Sequence, residues 1–439
     1  MLKISKISSL QIIQILRFGI LLLIGIAFAK SSFSTEYIGY YETFLFVSTA
    51  VTFFWLSGLT QALLPIYKKS NTFLYKVTEK TPVLFNSFLL IVFFSIISGI
   101  ILLLFKAYIL DKLINSAFIE YYNLLIVYVV ISSPAYIIEY IYLLKNKPKL
   151  ILEYGLISYI LQLLIVCLPV IFNFNLIWVF YGLIFISIIR FFWLIVLVFQ
   201  NSKLTLSFKF IFEHLHLAWP LIVSSFLGGS AQYVDGFIIT SKFDEATFAI
   251  FRFGARELPI SVLLANAFSN AMLPEFSEDF KLDELINKIK KKSLVLMHLL
   301  FPLTIVMLLL SNTLFPIIFN SNFTESALIF NIYLLLIISR LLFPQTILIG
   351  LQQTKIILFT SVIEIIINVL LSLLLVNYIG ISGVAIATVI AFLIEKLILS
   401  SFLYQKYDVT IYKFVNIKWY VFYSVITLLI YCFVEFYLF

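Results

Sequence analysis

Long apolar runs recur from one end of the chain to the other, separated by short polar segments. Runs of about 20 apolar residues are long enough to cross the hydrocarbon core of a bilayer as helices. The strands of an outer-membrane barrel are short and alternate apolar with polar residues, so the pattern excludes that architecture. It predicts an all-α, polytopic helical membrane protein with thirteen spans, at 9–30, 40–66, 81–105, 119–144, 148–170, 175–199, 211–241, 245–275, 289–319, 325–353, 355–377, 381–406 and 417–438.

The composition agrees with this fold class. Of the 439 residues, 62% are apolar and 12% are charged, and the mean hydropathy is +1.10. This composition excludes a soluble enzyme, a secreted disulfide scaffold and a disordered chain. Cys167 and Cys432 both lie in apolar runs, which argues against a disulfide framework or a metal cluster. We expect neither a metal nor a cofactor, and no nucleic-acid partner despite the net charge of +8.

The lysines indicate the direction of the spans. With the N-terminus in the cytoplasm, twenty lysines fall on the cytoplasmic side and four on the opposite side, namely Lys30, Lys106, Lys112 and Lys242. Cytoplasmic loops carry an excess of lysine and arginine, so this asymmetry supports both the count and the orientation. We predict a cytoplasmic N-terminus and an external C-terminus.

The first twelve predicted spans divide evenly around the loop that contains Lys203 and Lys209. Six spans per half give both halves the same orientation, as in a parallel repeat with a cavity between two lobes. The prediction is two six-helix lobes plus one extra C-terminal helix: an N-lobe of helices 1–6 (1–200), a cytoplasmic inter-lobe loop (201–210), a C-lobe of helices 7–12 (211–406), and a linker with helix 13 (407–439).

Every arginine of the chain falls inside a predicted span: Arg17, Arg190, Arg252, Arg256 and Arg340. An arginine in hydrocarbon is costly, so it normally faces a water-filled cavity or a partner. Its planar, permanently charged fork suits phosphate and pyrophosphate better than the ammonium of lysine does. These five residues are therefore predicted to bind an anionic, phosphorylated substrate.

The alternative for these arginines is charge pairing inside the bundle. Asp235 and Arg252 lie about equally far from the predicted turn near residue 243, and we favour a pair between them. Arg252 and Arg256 are four residues apart, so they would share a helix face and repel each other unless an anion or an acid lies between them. Arg17 has no acidic residue on its own predicted span.

Intramembrane carboxylates are the second group of candidates. Asp235, Glu257 and Glu364 are predicted either to bind a proton or Na⁺ that drives transport, or to neutralise arginines. Glu395 is a further pairing candidate.

Four segments carry a family resemblance through their order and spacing. They are 36–64, which opens with YIGYYETF and closes with WLSGLTQALL; 232–259, QYVDGFIITSKFDEATFAIFRFGARELP; 266–278, NAFSNAMLPEFSE; and 368–391, NVLLSLLLVNYIGISGVAIATVIA. They resemble the helix 1–2 region, the helix 7–8 hairpin, the end of helix 8 and the helix 11–12 hairpin of bacterial polysaccharide flippases. Those flippases belong to the multidrug/oligosaccharidyl-lipid/polysaccharide exporter superfamily.

The resemblance implies two lobes around a cationic cavity and transport by alternating access. The cargo would be a polyprenyl-pyrophosphate-linked oligosaccharide, carried from the inner to the outer face of the cytoplasmic (inner) membrane. The peptidoglycan-precursor flippase of the superfamily has cavity arginines on its first, second and eighth helices. Arg17 and Arg256 match the first and the eighth, but 41–66 contains neither arginine nor lysine. That flippase also has fourteen helices.

On these two departures we predict a surface-polysaccharide or O-antigen repeat unit as the cargo, with the peptidoglycan precursor as an alternative. A cation-coupled exporter of small molecules is a second alternative, although the drug-efflux branch uses an acidic residue in its first helix and the first helix here has Arg17 and no carboxylate. A membrane glycosyltransferase or a polysaccharide polymerase would need a sizeable external loop with catalytic groups, and the longest external connection, near 106–118, is short. We expect a transporter that is not an enzyme, with a lipid-linked oligosaccharide, membrane lipids, and a polysaccharide polymerase or glycosyltransferases as partners.

Overall fold

A computed structural model describes residues 6–73, 81–114, 118–276 and 281–437. These residues are almost wholly helical and contain no strand, which confirms the predicted all-α class. Within them, ten helices are long and apolar enough to cross a membrane, or eleven when the bent pair Thr35–Ala50 and Phe53–Tyr67 is taken as one span. The chain is therefore a polytopic helical membrane protein.

The described residues form two compact units. The first lies within Met1–Ser230 together with Asp244–Ala246, and the second within Ala231–Phe243 and Thr247–Phe439. The division into the four predicted segments, including two lobes of six helices, stays a prediction.

The first unit is built from long helices. They are α1 Lys6–Lys30, α2 Thr35–Ala50, α3 Phe53–Phe73, α4 Val83–Leu104, α5 Ile119–Ser132, α6 Ile137–Leu144, α7 Pro148–Ile171, α8 Ile177–Asn201 and the first part of α9 Phe208–Lys242, with short turns at Lys106–Tyr108, Ile109–Leu113 and Ser133–Tyr136. Helix α1 packs along α7, and α8 packs against both α5 and α7. A core around Trp55, Leu59, Ile137 and Ile151 fixes these helices. This packing places the polar side chains of α1, α6, α7 and α8 near one another.

The second unit contains shorter and more interrupted helices. They are the end of α9, most of α10 Glu245–Gly254, then α11 Pro259–Met272, α12 Leu282–Ile318, α13 Thr324–Leu334, α14 Leu336–Arg340, α15 Pro344–Gly350, α16 Thr354–Tyr407, α17 Ile411–Phe414 and α18 Ile417–Tyr437, with turns at Leu273–Glu275 and Ser321–Phe323. Helix α12 packs against α13 and α18, and α16 packs against α13 and α15. Buried side chains including Met297, Phe301, Leu341 and Leu399 form the core.

The predicted span 40–66 is two helices, α2 and α3, bent by 45°. Side-chain hydroxyls compete with the helical hydrogen bonds at the break. Thr49 Oγ1 donates to the Leu45 carbonyl at 2.9 Å, and Thr52 Oγ1 donates to the Ser48 carbonyl at 2.8 Å. Such back-bonding by serine and threonine often bends helices.

With α2 and α3 taken as one span, the described residues have eleven candidate spans. Two features account for the difference from the thirteen predicted. Helix α16 is one continuous element by its hydrogen bonds, but the non-helical backbone at Ile379 and Gly380 divides it into two helices. Gly380 has φ of 60°, a left-handed conformation that glycine adopts without a steric penalty. The predicted turn at 377–381 is therefore present. The predicted span 245–275 is divided between α10 and α11, each too short to cross a bilayer alone.

Candidate functional site

Arg17 of α1 forms an ion pair with Glu139 of α6 in the first unit. Arg17 Nη2 donates to Glu139 Oε1 at 2.6 Å, and Arg17 Nε donates to the Tyr159 hydroxyl at 2.6 Å. The side chain of Arg17 keeps 28% of its surface exposed, whereas that of Glu139 keeps 12%. The guanidinium also lies 5.3 Å from the centre of the Tyr136 ring. Arg17 is thus held in place by side chains from other helices.

Arg190 of α8 reaches the same tyrosine but makes different contacts. Its Nε donates to Ser158 Oγ at 2.6 Å, and its Nη2 donates to Gln162 Oε1 at 2.7 Å and to the Ser158 carbonyl at 3.2 Å. Its guanidinium carbon lies 5.0 Å from the centre of the Tyr159 ring, and that of Arg17 lies 5.4 Å from it. The two arginines therefore share one aromatic ring.

Arg256 lies outside a helix, between α10 and α11. The expectation that Arg252 and Arg256 share one helix face is wrong. Pro259 lacks an N–H and disfavours helical backbone at the residue before it, which favours the break between α10 and α11. Leu258 accordingly has φ of −59° and ψ of 114°. Arg256 Nε donates to the backbone carbonyl of Arg252 at 3.2 Å.

A close helix contact precedes this break. A Cβ atom on Gly254 would lie 2.3 Å from the carbonyl oxygen of Ser326 in α13. Glycine therefore lets the end of α10 approach α13 closely.

Glu257 pairs with Arg340 at the end of α14. One nitrogen, Arg340 Nη2, donates to both carboxylate oxygens of Glu257 at 2.5 Å. The two side chains are each about a quarter exposed, at 25% for Glu257 and 24% for Arg340. They line a small cleft of the second unit together with Leu258, Ser261, Thr304, Tyr333, Leu334, Leu336 and Ile337.

Glu257→Gln should lower the thermal stability of the protein, because it leaves Arg340 without its carboxylate partner. Removing one member of a buried ion pair costs about 3–5 kcal/mol, and partial exposure of this pair should reduce the cost. The double variant Glu257→Gln/Arg340→Gln should recover part of the loss. Thermal unfolding of the purified variants measures this, and equal stability of all of them would contradict a structural pair.

Asp235 of α9 is buried in the second unit, with 3% of its surface exposed. Its Oδ2 accepts hydrogen bonds from the Tyr333 hydroxyl at 2.5 Å and from Thr388 Oγ1 at 2.6 Å. Its Oδ1 accepts from Asn368 Nδ2 at 3.2 Å. The described hydrogen bonds to this carboxylate thus come from neutral donors. They replace the ion pair with Arg252 that we favoured from the sequence.

Glu364 lies one helical turn before Asn368 in α16 and is 6% exposed. Within the described residues its Oε1 has no hydrogen-bond partner. Glu395 accepts a hydrogen bond from Lys396 at 2.9 Å, and Lys396 also donates to Gln345 Oε1 at 3.0 Å. Glu395 is therefore paired with a lysine and not with an arginine.

The charged residues were recognisable in the sequence, but several of their partners were not. The acid that pairs with Arg17, Glu139, lies on a different predicted span. The available signal was the presence of a carboxylate inside a span, which is unusual enough to indicate a site. Tyr159, Tyr333 and Thr388 gave no such signal, because aromatic and hydroxyl side chains are frequent in membrane helices.

The chain shares its fold with several solved transporters. A lipid II flippase MurJ in an inward closed conformation matches with a TM-score of 0.67 at 20% identity, covering 97% of this chain and 92% of that one. An inward-facing multidrug resistance MATE family transporter of the MOP superfamily matches with a TM-score of 0.62 at 12% identity, covering 90% and 96%. A MOP superfamily transporter from Pyrococcus furiosus matches with a TM-score of 0.57 at 14% identity, covering 90% and 93%. No curated protein matches the chain.

A family model described as lipid II flippase MurJ matches residues 53–439. The predicted superfamily and the predicted flippase and transport class are thereby confirmed, as is the expectation that the chain is not an enzyme. The main prediction of a surface-polysaccharide or O-antigen flippase is wrong, because the match points to the alternative, the peptidoglycan-precursor flippase. The missing second-helix arginine and the helix count were weak evidence beside a match of this length. The chain belongs to the lipid II flippase MurJ family.

Proposed function

We propose that this protein moves the lipid-linked peptidoglycan precursor, lipid II, across the cytoplasmic membrane by alternating access. The observation that carries the proposal is the family match over residues 53–439. The arginines inside the membrane-spanning region support it, because guanidinium groups bind phosphate oxygens through paired N–H donors. The proposed partners are therefore lipid II and the surrounding membrane lipids.

Arg17 and Arg256 are the leading candidates for binding the pyrophosphate of the substrate. Part of the Arg17 side chain is exposed. Arg256 lies in the irregular backbone between α10 and α11. Such backbone is tolerated at membrane depth where it is buried in protein or lines a water-filled cavity. Arg190, Arg252 and Arg340 are further candidates for the same role.

Asp235 is the leading candidate for ion coupling. It is a buried carboxylate surrounded by hydroxyl and amide groups of Tyr333, Thr388 and Asn368. Such groups can surround either a protonated carboxyl group or a sodium ion. Glu364 is a second candidate because one of its oxygens is buried without a donor in the described part of the chain. Glu257 is a weaker candidate because Arg340 occupies both of its oxygens.

We also propose that the N-terminus is cytoplasmic and the C-terminus external, on the strength of the lysine asymmetry. A reporter that is active only in the external compartment should be active when fused after Phe439. Activity of a cytoplasmic reporter at the same position would overturn this orientation.

A reconstituted flipping assay tests the proposed function. The purified protein is placed in liposomes that contain fluorescent lipid II, and a membrane-impermeant quencher reports the fraction exposed outside. We expect the protein to equilibrate lipid II between the leaflets, whereas empty liposomes should not. A polyprenyl-pyrophosphate carrying a different oligosaccharide serves as the comparison substrate. Movement of that lipid without movement of lipid II would reject the proposal.

A further inference from the structure

Positive charge exceeds negative charge around Tyr159 in the first unit. Two guanidinium groups lie about 5 Å from this ring, at 5.4 Å for Arg17 and 5.0 Å for Arg190. Arg190 donates to a serine and a glutamine, which are both neutral. Among the described contacts of these two arginines, one is with a carboxylate, that of Glu139. The group of Arg17, Arg190, Glu139 and Tyr159, here called the Tyr159 cluster, therefore carries a net charge of +1.

The carboxylate of Glu139 accepts a hydrogen bond from an N–H group of Arg17 that could also donate to a phosphate oxygen. A guanidinium group has five N–H donors, and carboxylate and phosphate oxygens bind to the same fork. The described contacts of Arg17 use one Nη2 hydrogen for Glu139 and the Nε hydrogen for Tyr159. The remaining donors and the 28% exposed surface of the side chain leave room for an approaching anion. An anion that accepts hydrogen bonds from both Nε and Nη2 of Arg17 must therefore compete with Glu139.

The released carboxylate would have another donor within reach. The Tyr159 hydroxyl lies 3.4 Å from Glu139 Oε1 while it accepts a hydrogen bond from Arg17. If Arg17 turns toward an anion, this hydroxyl can donate to Glu139 at a shorter distance. The buried carboxylate would then keep a hydrogen bond, which reduces the cost of losing its ion pair.

We propose that Glu139 is an internal competitor for Arg17 that the diphosphate group of the substrate displaces. This inference rests on the proposed function and adds a residue that sets specificity. Phospholipid phosphates, each with a single charge, surround a membrane protein in great excess. A diphosphate brings more negative charge and more oxygens to the +1 cluster, so it displaces Glu139 where a phospholipid headgroup does not.

Binding measurements on the purified full-length protein in nanodiscs test the inference with three probes. The probes are undecaprenyl diphosphate, inorganic pyrophosphate and phosphatidylglycerol. We expect Glu139→Gln to bind all three more tightly, with the largest relative gain for phosphatidylglycerol, so that discrimination falls about tenfold, or about 1.4 kcal/mol. Arg17→Gln should bind the diphosphates more weakly, and Arg17→Gln/Glu139→Gln should match Arg17→Gln because the gain acts through Arg17.

Glu153→Gln is the matched control. Glu153 lies on the same helix as Tyr159 but is a half-exposed residue paired with Lys149 at 3.4 Å, so binding should not change. If Glu139→Gln does not fold, Glu139→Asp carries the test, since its shorter side chain should weaken the pair and give a smaller gain.

The probes separate failure of this inference from failure of the proposed function. Unchanged or weaker binding by the Glu139 variants, with normal binding of undecaprenyl diphosphate by the parent protein, would overturn the competitor role alone. Tighter pyrophosphate binding by Glu139→Gln, with no binding of the lipid diphosphate by any variant, would support the competitor role and count against the proposed function. Unchanged binding of every probe by Arg17→Gln as well would also overturn the role of Arg17 in binding the diphosphate.

Discussion

Arg17→Gln and Arg256→Gln should each reduce lipid II flipping by roughly two orders of magnitude while the protein stays folded. A charge-assisted hydrogen bond contributes about 1.5–3 kcal/mol, and about 1.4 kcal/mol corresponds to a factor of ten. Glutamine is the better replacement at Arg17 because its amide nitrogen takes the place of Nε and can still donate to the Tyr159 hydroxyl, which itself lies within reach of Glu139. Alanine would remove this contact as well and would mix a loss of stability with a loss of binding.

Two variants make this prediction specific. Arg17→Lys keeps the charge but loses the planar fork, so it should retain an intermediate rate. Lys30→Gln removes an exposed positive charge from the same helix and should flip at the parent rate. Parent-level flipping by both glutamine variants in the liposome assay would reject the proposed role of these arginines.

Asp235→Asn should fold normally but lose the dependence of flipping on the proton or sodium gradient. An ion pair with Arg252 would have made this variant unstable, but the hydrogen bonds described for Asp235 come from Tyr333, Thr388 and Asn368. Asparagine keeps one oxygen for these donors while it removes the charge that a cation or proton needs. We expect at least about a tenfold fall in gradient-driven flux, which corresponds to about 1.4 kcal/mol.

Glu325→Gln is the control for Asp235→Asn. It removes an exposed acidic charge from the helix that carries Tyr333 but keeps the Asp235 carboxylate and its donors, so flipping should still respond to the gradient. Thermal unfolding and flipping at several pH values and Na⁺ concentrations measure both effects. An Asp235→Asn protein that unfolds, or one whose flipping still follows the gradient, would contradict the coupling role.

The positions of the helices followed from the sequence because apolar runs of spanning length have few alternatives in a bilayer. The bends and breaks within these helices could not be predicted from the sequence. The bend between α2 and α3 depends on hydroxyl groups of Thr49 and Thr52 that are common in unbent helices. Pro259 was visible in the sequence, but prolines are tolerated in many membrane helices, so it did not by itself predict that α10 ends at Gly254.

The candidate charges were visible in the sequence for the same reason, since ionisable residues are rare in membrane spans. Their partners depend on helix packing between residues far apart in the chain, as with Arg17 and Glu139, which are 122 residues apart. The substrate class was predicted wrongly because the missing arginine and the helix count were given more weight than the similarity over residues 53–439.

The turn at Ile379 and Gly380 limits how the length of this chain can vary. Asn368 and Thr388 lie on opposite sides of it, and both reach Asp235. One residue inserted between the turn and Thr388 would rotate that side chain by about 100° and move it by about 1.5 Å along the helix, while Asn368 would stay in place. Related chains that keep these two hydrogen bonds to Asp235 should therefore differ here by substitution and not by insertion or deletion.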